Sequence, residues 1–174
     1  TKAYATISSE RFNFSMGIRN YLISNYLYMN KSQLPDQYAP TFNLTQISLQ
    51  KAFTWRGIVL DNELLYQQVS ANAPVNTPLF MGRHQLSYER KIFKNALQVA
   101  TGVEMRYHSP YNTAAYSPIF HRYYYNDTYL LTNNPVYAVF FNFKIKRFRS
   151  YIMVDQLQQA FIPANTINAP GYPA

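Results

Sequence analysis

Charged side chains are sparse in this sequence, and where they occur they alternate with apolar ones. Lys144, Lys146 and Arg149 sit in the run F-K-I-K-R-F-R. Arg83, Glu89, Lys91, Glu104 and Arg106 keep the same two-residue spacing within their segments. In an extended chain that spacing puts the charges on one face. There they can pair across strands or present a field to a passing ion. It is a poor layout for covalent chemistry. The three histidines, His84, His108 and His121, show no H-x-x-x-H spacing, and no Gly-rich phosphate loop or nucleophile elbow is present. A hydrolase site of Ser/His/Asp type is a question of geometry that spacing does not answer. The chain has no cysteine, which excludes disulfides, thiol chemistry and Cys-based metal sites. No catalytic residue, metal ligand or cofactor is expected.

Composition narrows the setting. Charged residues make up 14% of the chain, against about 25% in a typical soluble domain. Aromatics make up 17%, with 17 Tyr and 12 Phe against one Trp, so amphipathic rings fill the gap. A formal charge of +8 could suggest a nucleic-acid partner, but the basic residues at 144–149 follow strand periodicity, so no nucleic-acid partner is expected. No run approaches the roughly 18 apolar residues of a membrane-spanning helix, a test that says nothing about membrane β-barrels. The first residues, 1–7, lack the apolar core of a signal peptide and read as a strand in progress.

The elements that position these charges are strands. The region 136–159 is the clearest case. Tyr137, Val139, Phe141, Phe143 and Ile145 alternate with Val136, Ala138, Phe140, Asn142, Lys144 and Lys146, and a second strand follows after a short connection at Arg147 and Phe148. The other segments repeat the pattern. One long strand is expected from Phe12 through Tyr28, with Phe12, Phe14, Met16, Ile18 and Leu22 on its apolar face. In the strand near 41–53, Phe42 and Leu44 share the parity of Gln46, Ser48 and Gln50, so a β-bulge is expected near Thr45. Ile58, Leu60, Leu64 and Tyr66 oppose Val59, Asp61, Glu63 and Gln67. His84, Leu86 and Tyr88 oppose Arg83, Gln85, Ser87 and Glu89, and Leu97 to Tyr107 alternate with Ala96 to Arg106. Short connections, near 8–10, 54–57, 93–95 and 147–148, alternate with long ones at about 31–40, 70–78, 108–135 and 161–174.

That alternation of short turns and long loops, with strands of about 10 residues, is the pattern of an outer-membrane barrel with periplasmic turns and external loops. The competing reading is a soluble antiparallel barrel or sandwich whose apolar face is a protein core. Aromatics near strand ends, namely Tyr26, Tyr28, Phe53, Trp55, Tyr66, Tyr88, Tyr107 and Tyr137, fall where interface girdles would lie and favour the membrane. The expected fold is all-β: an antiparallel, up-and-down transmembrane β-barrel with about eight strand segments visible. It reads as a single domain over 1–174 that is incomplete at both ends, the C-terminal portion of a larger barrel lacking at least one final strand.

The run P-V-Y-A-V-F-F-N-F-K-I-K-R-F-R at 135–149, continuing into Y-I-M-V-D-Q-L at 151–157, resembles the C-terminal part of the putative porin family of Bacteroidota. The motif N-A-P-G-Y-P at 168–173 matches the loop before that family's last strand, and Y-S-P at 116–118 followed by Y-Y-Y at 123–125 resembles its segment before the same hairpin. The resemblance implies an outer-membrane β-barrel with pore activity, and it carries over no site residue.

On this reading Arg19, Asp61, Glu63, Arg83, Glu89, Lys91, Glu104, Arg106, Lys144 and Lys146 point toward a lumen. With a turn centred on Phe93 and Lys94, Arg83 is expected opposite Glu104, with Glu63 on the other neighbouring strand. With Arg147 and Phe148 as the turn, Lys144 is expected opposite Tyr151 and Phe140 opposite Asp155, and Asp155 points inward. These charges serve either as wall-stabilising pairs or as a selectivity field favouring anions near Lys144, Lys146 and Arg149. The implied function is a channel for passive diffusion of small solutes in the bacterial outer membrane. The alternatives are a non-conducting barrel subunit or scaffold of an outer-membrane complex, and the barrel of a TonB-dependent receptor. The implied partners are outer-membrane lipid, and further copies of the chain or other outer-membrane proteins.

Overall fold

Alternating side chains give each strand one apolar face, and every backbone N–H and C=O in between needs a partner on a neighbouring strand. The computed structural model of the chain describes residues 1–70, 72–94, 96–132 and 135–160. It meets the pairing requirement with one eight-stranded antiparallel sheet. The strands are β1 (Lys2–Ser9), β2 (Phe14–Ile23), β3 (Phe42–Trp55), β4 (Ile58–Val69), β5 (Phe80–Ile92), β6 (Leu97–His108), β7 (Val136–Ile145) and β8 (Phe148–Val154). Each pairs with its sequence neighbours, β1 and β8 are the edges, and the sheet is not closed. The expected loop 161–174, with the 168–173 motif, lies outside the described residues.

Short turns gather at one end of the sheet and long loops at the other. The turns lie between Ser9 and Phe14, Trp55 and Ile58, Ile92 and Leu97, and Ile145 and Phe148. All four differ from expectation. The first lies at 10–13 rather than 8–10, so Phe12 is a turn residue, and the second at 56–57 rather than 54–57, so Trp55 is a strand residue. The third pairs Ile92 with Leu97 and sets Arg83 opposite Arg106 rather than Glu104. The last uses Lys146 and Arg147, which sets Lys144 opposite Arg149 and Phe140 opposite Met153. The displacements in the last two hairpins are two residues, so every side chain keeps its face. The Arg56–Gly57 turn has positive φ at both residues, 46° and 87°, the geometry that matches the twist of a two-residue hairpin.

Three strand expectations are corrected. The long strand ends at Ile23 rather than Tyr28, because Asn25 turns the chain at φ 53°. Tyr26–Met29 then pairs with Pro35–Tyr38 in a separate hairpin, so the first long loop covers 24–41. No bulge interrupts β3, which keeps continuous register with both neighbours. Phe42 shares the parity of the polar residues because it packs under that hairpin, buried to 1% between Tyr26 and Tyr38 at ring distances of 5.8 and 6.0 Å. The strand expected to run on through Gln159 ends at Val154. Gln156 turns at φ 59°, and a 3-10 helix follows at Leu157–Ala160. The buried Gln158 side chain accepts the Tyr137 N–H at 3.0 Å and stands in for a ladder bond at the top of β7.

The two faces differ in what covers them. On the apolar face Leu86, Val103, Phe141 and Ile152 are 46%, 51%, 40% and 58% exposed, and among the described residues no element packs across it. The buried apolar side chains are instead Phe42, Ala115, Ala138 and Phe140, on the polar face or in the loops. Two rings close gaps in the ladder. Tyr107 lies across Gly82 on the apolar face, stacked with His84 at 5.6 Å, and Phe140 lies across Gly102 on the polar face.

Gly102 is the tighter position. An added Cβ would run into the Leu86 carbonyl oxygen and lie 2.8 Å from Ser87 Cα and 2.9 Å from Phe140 Cζ. Gly102→Val should therefore lower stability by about 1–3 kcal/mol, the usual penalty of overpacking. The urea midpoint of protein refolded in detergent measures this, and an unchanged midpoint would contradict the packing described.

Candidate functional site

The polar face carries a chain of alternating charges across β4, β5 and β6. Glu63 pairs in register with Arg83, and Gln85 with Glu104. The Arg83 guanidinium spreads over three side chains. Its Nε and Nη2 donate to Glu104 Oε2 at 2.9 and 2.8 Å, Nη1 donates to Glu63 Oε1 at 3.2 Å, and Nη2 also donates to Gln85 Oε1 at 2.8 Å. Arg106 lies 3.2 Å from Glu104 Oε1 through its Nε, an ion pair without hydrogen-bond geometry, and Nη2 donates to Asp155 at 2.5 and 2.6 Å. The order is Glu63, Arg83, Glu104, Arg106, Asp155, and the signs alternate. Arg83 and Arg106 stand directly opposite each other, a like-charge pairing normally unfavourable. Glu104, 7% exposed, sits between them and offsets it.

The Arg83–Glu104 contact is therefore made diagonally, not by the direct opposition expected. Asp155 joins the polar face through Arg106, from beyond the end of β8, and this pair and the Gln85 contact have no signature in local spacing. Glu104→Gln would leave both guanidinium groups without their shared carboxylate. A loss of about 1–3 kcal/mol is expected, larger than for Glu63→Gln at the more solvated end of the chain. Urea titration of the two variants side by side checks the order.

At the turn end the polar face curves around a cavity of about 730 Å³ that reaches from β3 to β8. Lys91, Lys144 and Arg149 line it with Glu89, Asn142 and Tyr151. Lys144 pairs in register with Arg149 on one side and Gln98 on the other. Among the described residues these three cations make no ion pair. Lys146, expected on the strand wall, is instead a turn residue at φ 52°. Asp61 lines a smaller cavity of about 260 Å³ with Glu10, Ser15 and Gln50. Arg19 is exposed on β2, opposite Tyr4 and Gln46, away from the charge chain.

The aromatics expected at the interfaces divide. Phe53, Trp55 and Tyr88 are exposed on the apolar face toward the turn end, and Tyr66, Tyr107 and Tyr137 lie toward the loop end. Tyr26 and Tyr28 are not on the wall at all but in the loop hairpin. His84 meets Asn62 Oδ1 at 2.6 Å and Tyr107 Oη at 3.4 Å on the apolar face, His108 meets the Ser109 carbonyl at 3.0 Å, and His121 meets Tyr116 Oη at 3.3 Å. None of these partners is a carboxylate, so no Ser/His/Asp arrangement is built from them.

Over the loop end, the long loops knit together. The segment 109–132 forms two short strand pairs, Tyr111–Asn112 with Leu130–Leu131 and Ala115–Ser117 with Arg122–Tyr124. It joins the 24–41 loop through Ser117 Oγ donating to Gln33 Oε1 at 2.6 Å, Tyr125 N donating to the Met29 carbonyl at 2.8 Å, and Lys31 paired to Asp127 at 2.6 Å. The Lys31 hydrogen bond holds the Asp127 carboxyl below the usual carboxylate range, and Asp127 in turn raises Lys31. The pair's contribution is complete at neutral pH. It is lost as pH falls through the lowered Asp127 value, and again as pH rises through the raised Lys31 value. An NMR titration of the Asp127 side chain should give a midpoint below about 3.9, and Lys31→Met should return it toward that value.

A family model described as "Putative porin" matches residues 1–174, the whole chain. No curated protein and no solved structure matches it.

Proposed function

Because the chain belongs to the putative porin family, we propose that its polar face lines the lumen of an outer-membrane channel through which small solutes pass by diffusion. The observation that carries this reading is the uncovered apolar face. Monomeric soluble proteins seldom expose contiguous apolar patches beyond a few hundred Å². Here Leu60, Leu86, Val103, Val139, Phe141 and Ile152, on strands β4 to β8, are all at least 36% exposed. A soluble sandwich would bury that face against a second layer. Hydrocarbon is the solvent that suits it, and the opposite face, with its charge chain and water-accessible cavity, suits a lumen. In a bilayer the backbone groups along β1 and β8 must also be paired, so the working wall is a closed one.

The charge distribution adds a direction. In the chain from Glu63 to Asp155 the charges pair and largely cancel. In the turn-end cavity Lys91, Lys144 and Arg149 do not pair among the described residues, and Glu89 is the acidic side chain beside them. Rings of uncompensated cations favour anions, so this mouth prefers them. A non-conducting wall subunit is the second reading, and the loop cap over the far end favours it.

Planar-bilayer recordings of the full-length protein under a salt gradient test both. Anion preference is expected. Lys91→Glu, Lys144→Glu and Arg149→Glu combined should shift the reversal potential toward cations. Channels whose selectivity ignores the triple substitution would remove the cavity from the selectivity account. Absence of conductance would leave the wall-subunit reading.

A further inference from the structure

A second cavity, of about 520 Å³, lies off the sheet among the long loops. Its walls are the Tyr26–Met29 and Pro35–Tyr38 hairpin, the segment at 74–76, and the strand Arg122–Tyr124 with Tyr125. Its volume is within the range of small-ligand sites, which combine flat apolar walls with a few fixed polar groups. The rings that line it are held by one another. Tyr26 and Tyr28 stack at 6.1 Å with an interplanar angle of 7°, and Tyr125 meets Tyr28 edge-on at 6.1 Å and 89°. The loops behind them are tied by the Tyr125–Met29 backbone bond and by Asn76 Nδ2 donating to the Asn126 carbonyl at 2.7 Å. The cavity is therefore preformed, which lowers the ordering penalty on binding.

Its chemistry points to a class of ligand. Tyrosine offers a rigid ring face for C–H groups and a hydroxyl at the ring edge, and both match a pyranose ring, which carries a C–H face and hydroxyls around its rim. Arg122 lines the same cavity, is exposed, and makes no ion pair among the described residues. A guanidinium fork in that state matches a carboxylate. An extended peptide fits less well. Strand addition needs a free edge of N–H groups, yet Tyr125 already bonds Met29 on one side of the hairpin, and Pro35 on the other has no N–H to offer. We infer that the loop cavity binds a short acidic oligosaccharide, with sugar rings against the tyrosines and a uronate carboxylate at Arg122. This goes beyond the channel reading and does not depend on conduction.

The test is calorimetric titration of the full-length protein in detergent with two probes, a tetramer of galacturonic acid and its neutral galactose counterpart. The acidic tetramer should bind, and the neutral one should bind at least about tenfold more weakly. Arg122→Gln should remove that preference, and Tyr28→Ala with Tyr124→Ala should weaken binding of the acidic tetramer by about tenfold or more. Unchanged heat-modifiable gel mobility shows that each variant keeps its fold. Two-residue spacing on the wall is untouched by these changes, so bilayer conductance should persist in all of them, and its loss in the parent would speak against the channel alone. No binding of the acidic tetramer, equal binding of both probes, or indifference to Arg122→Gln would each overturn the assignment.

Discussion

The backbone ladder, kept in register from β1 to β8, is the constraint on which the rest depends. Side chains in a strand alternate between faces, so register is a binary variable for each residue. An offset of one residue would carry Glu63, Arg83 and Glu104 onto the apolar face and Leu64, Leu86 and Val103 onto the polar one. An offset of two changes which residues face each other across a pair and leaves both faces intact. The ladder fixes parity strongly, through the transfer of many apolar groups. Turn geometry fixes the exact partner, with far less at stake.

That difference explains what could be read from residue order. Parity was legible in β4 to β7, so the residues from Asp61 to Lys144 expected to share a face do so, while in β3 the expected bulge misplaced Phe42 and Leu44. The partners were not legible. Arg83 was expected opposite Glu104 and stands opposite Arg106, because the connection between Ile92 and Leu97 is longer than a two-residue turn. Lys146 was expected on the wall and is spent in the turn, because Ile145 pairs with Phe148. The first error traces to turn length and the second to turn position, and both depend on a few dihedral angles that leave little trace in hydrophobic pattern.

The loops were the least legible part, for a different reason. Phe42 suggested a bulge because an inward apolar residue breaks the wall's pattern. Its explanation lies at Tyr26 and Tyr38, in a hairpin that covers it. The contacts joining residues 31 and 127, or 33 and 117, are long-range and polar, and no periodicity announces them. The same holds for the Arg106–Asp155 pair, which joins β6 to the chain beyond β8. A period-two pattern describes a wall, whereas closure over its end is written in individual side chains.

Arg83 also has a mechanical meaning. One guanidinium grips a carboxylate on β4 and another on β6 while its own backbone belongs to β5. Adjacent strands can slide along their length only by exchanging one set of ladder bonds for the next. Such a slip would pull Arg83 away from Glu63 or Glu104 before any new partner came within reach. The fork thus acts as a shear pin through three strands. It makes the tilt of this part of the wall stiff, and in a barrel the tilt is what sets the bore.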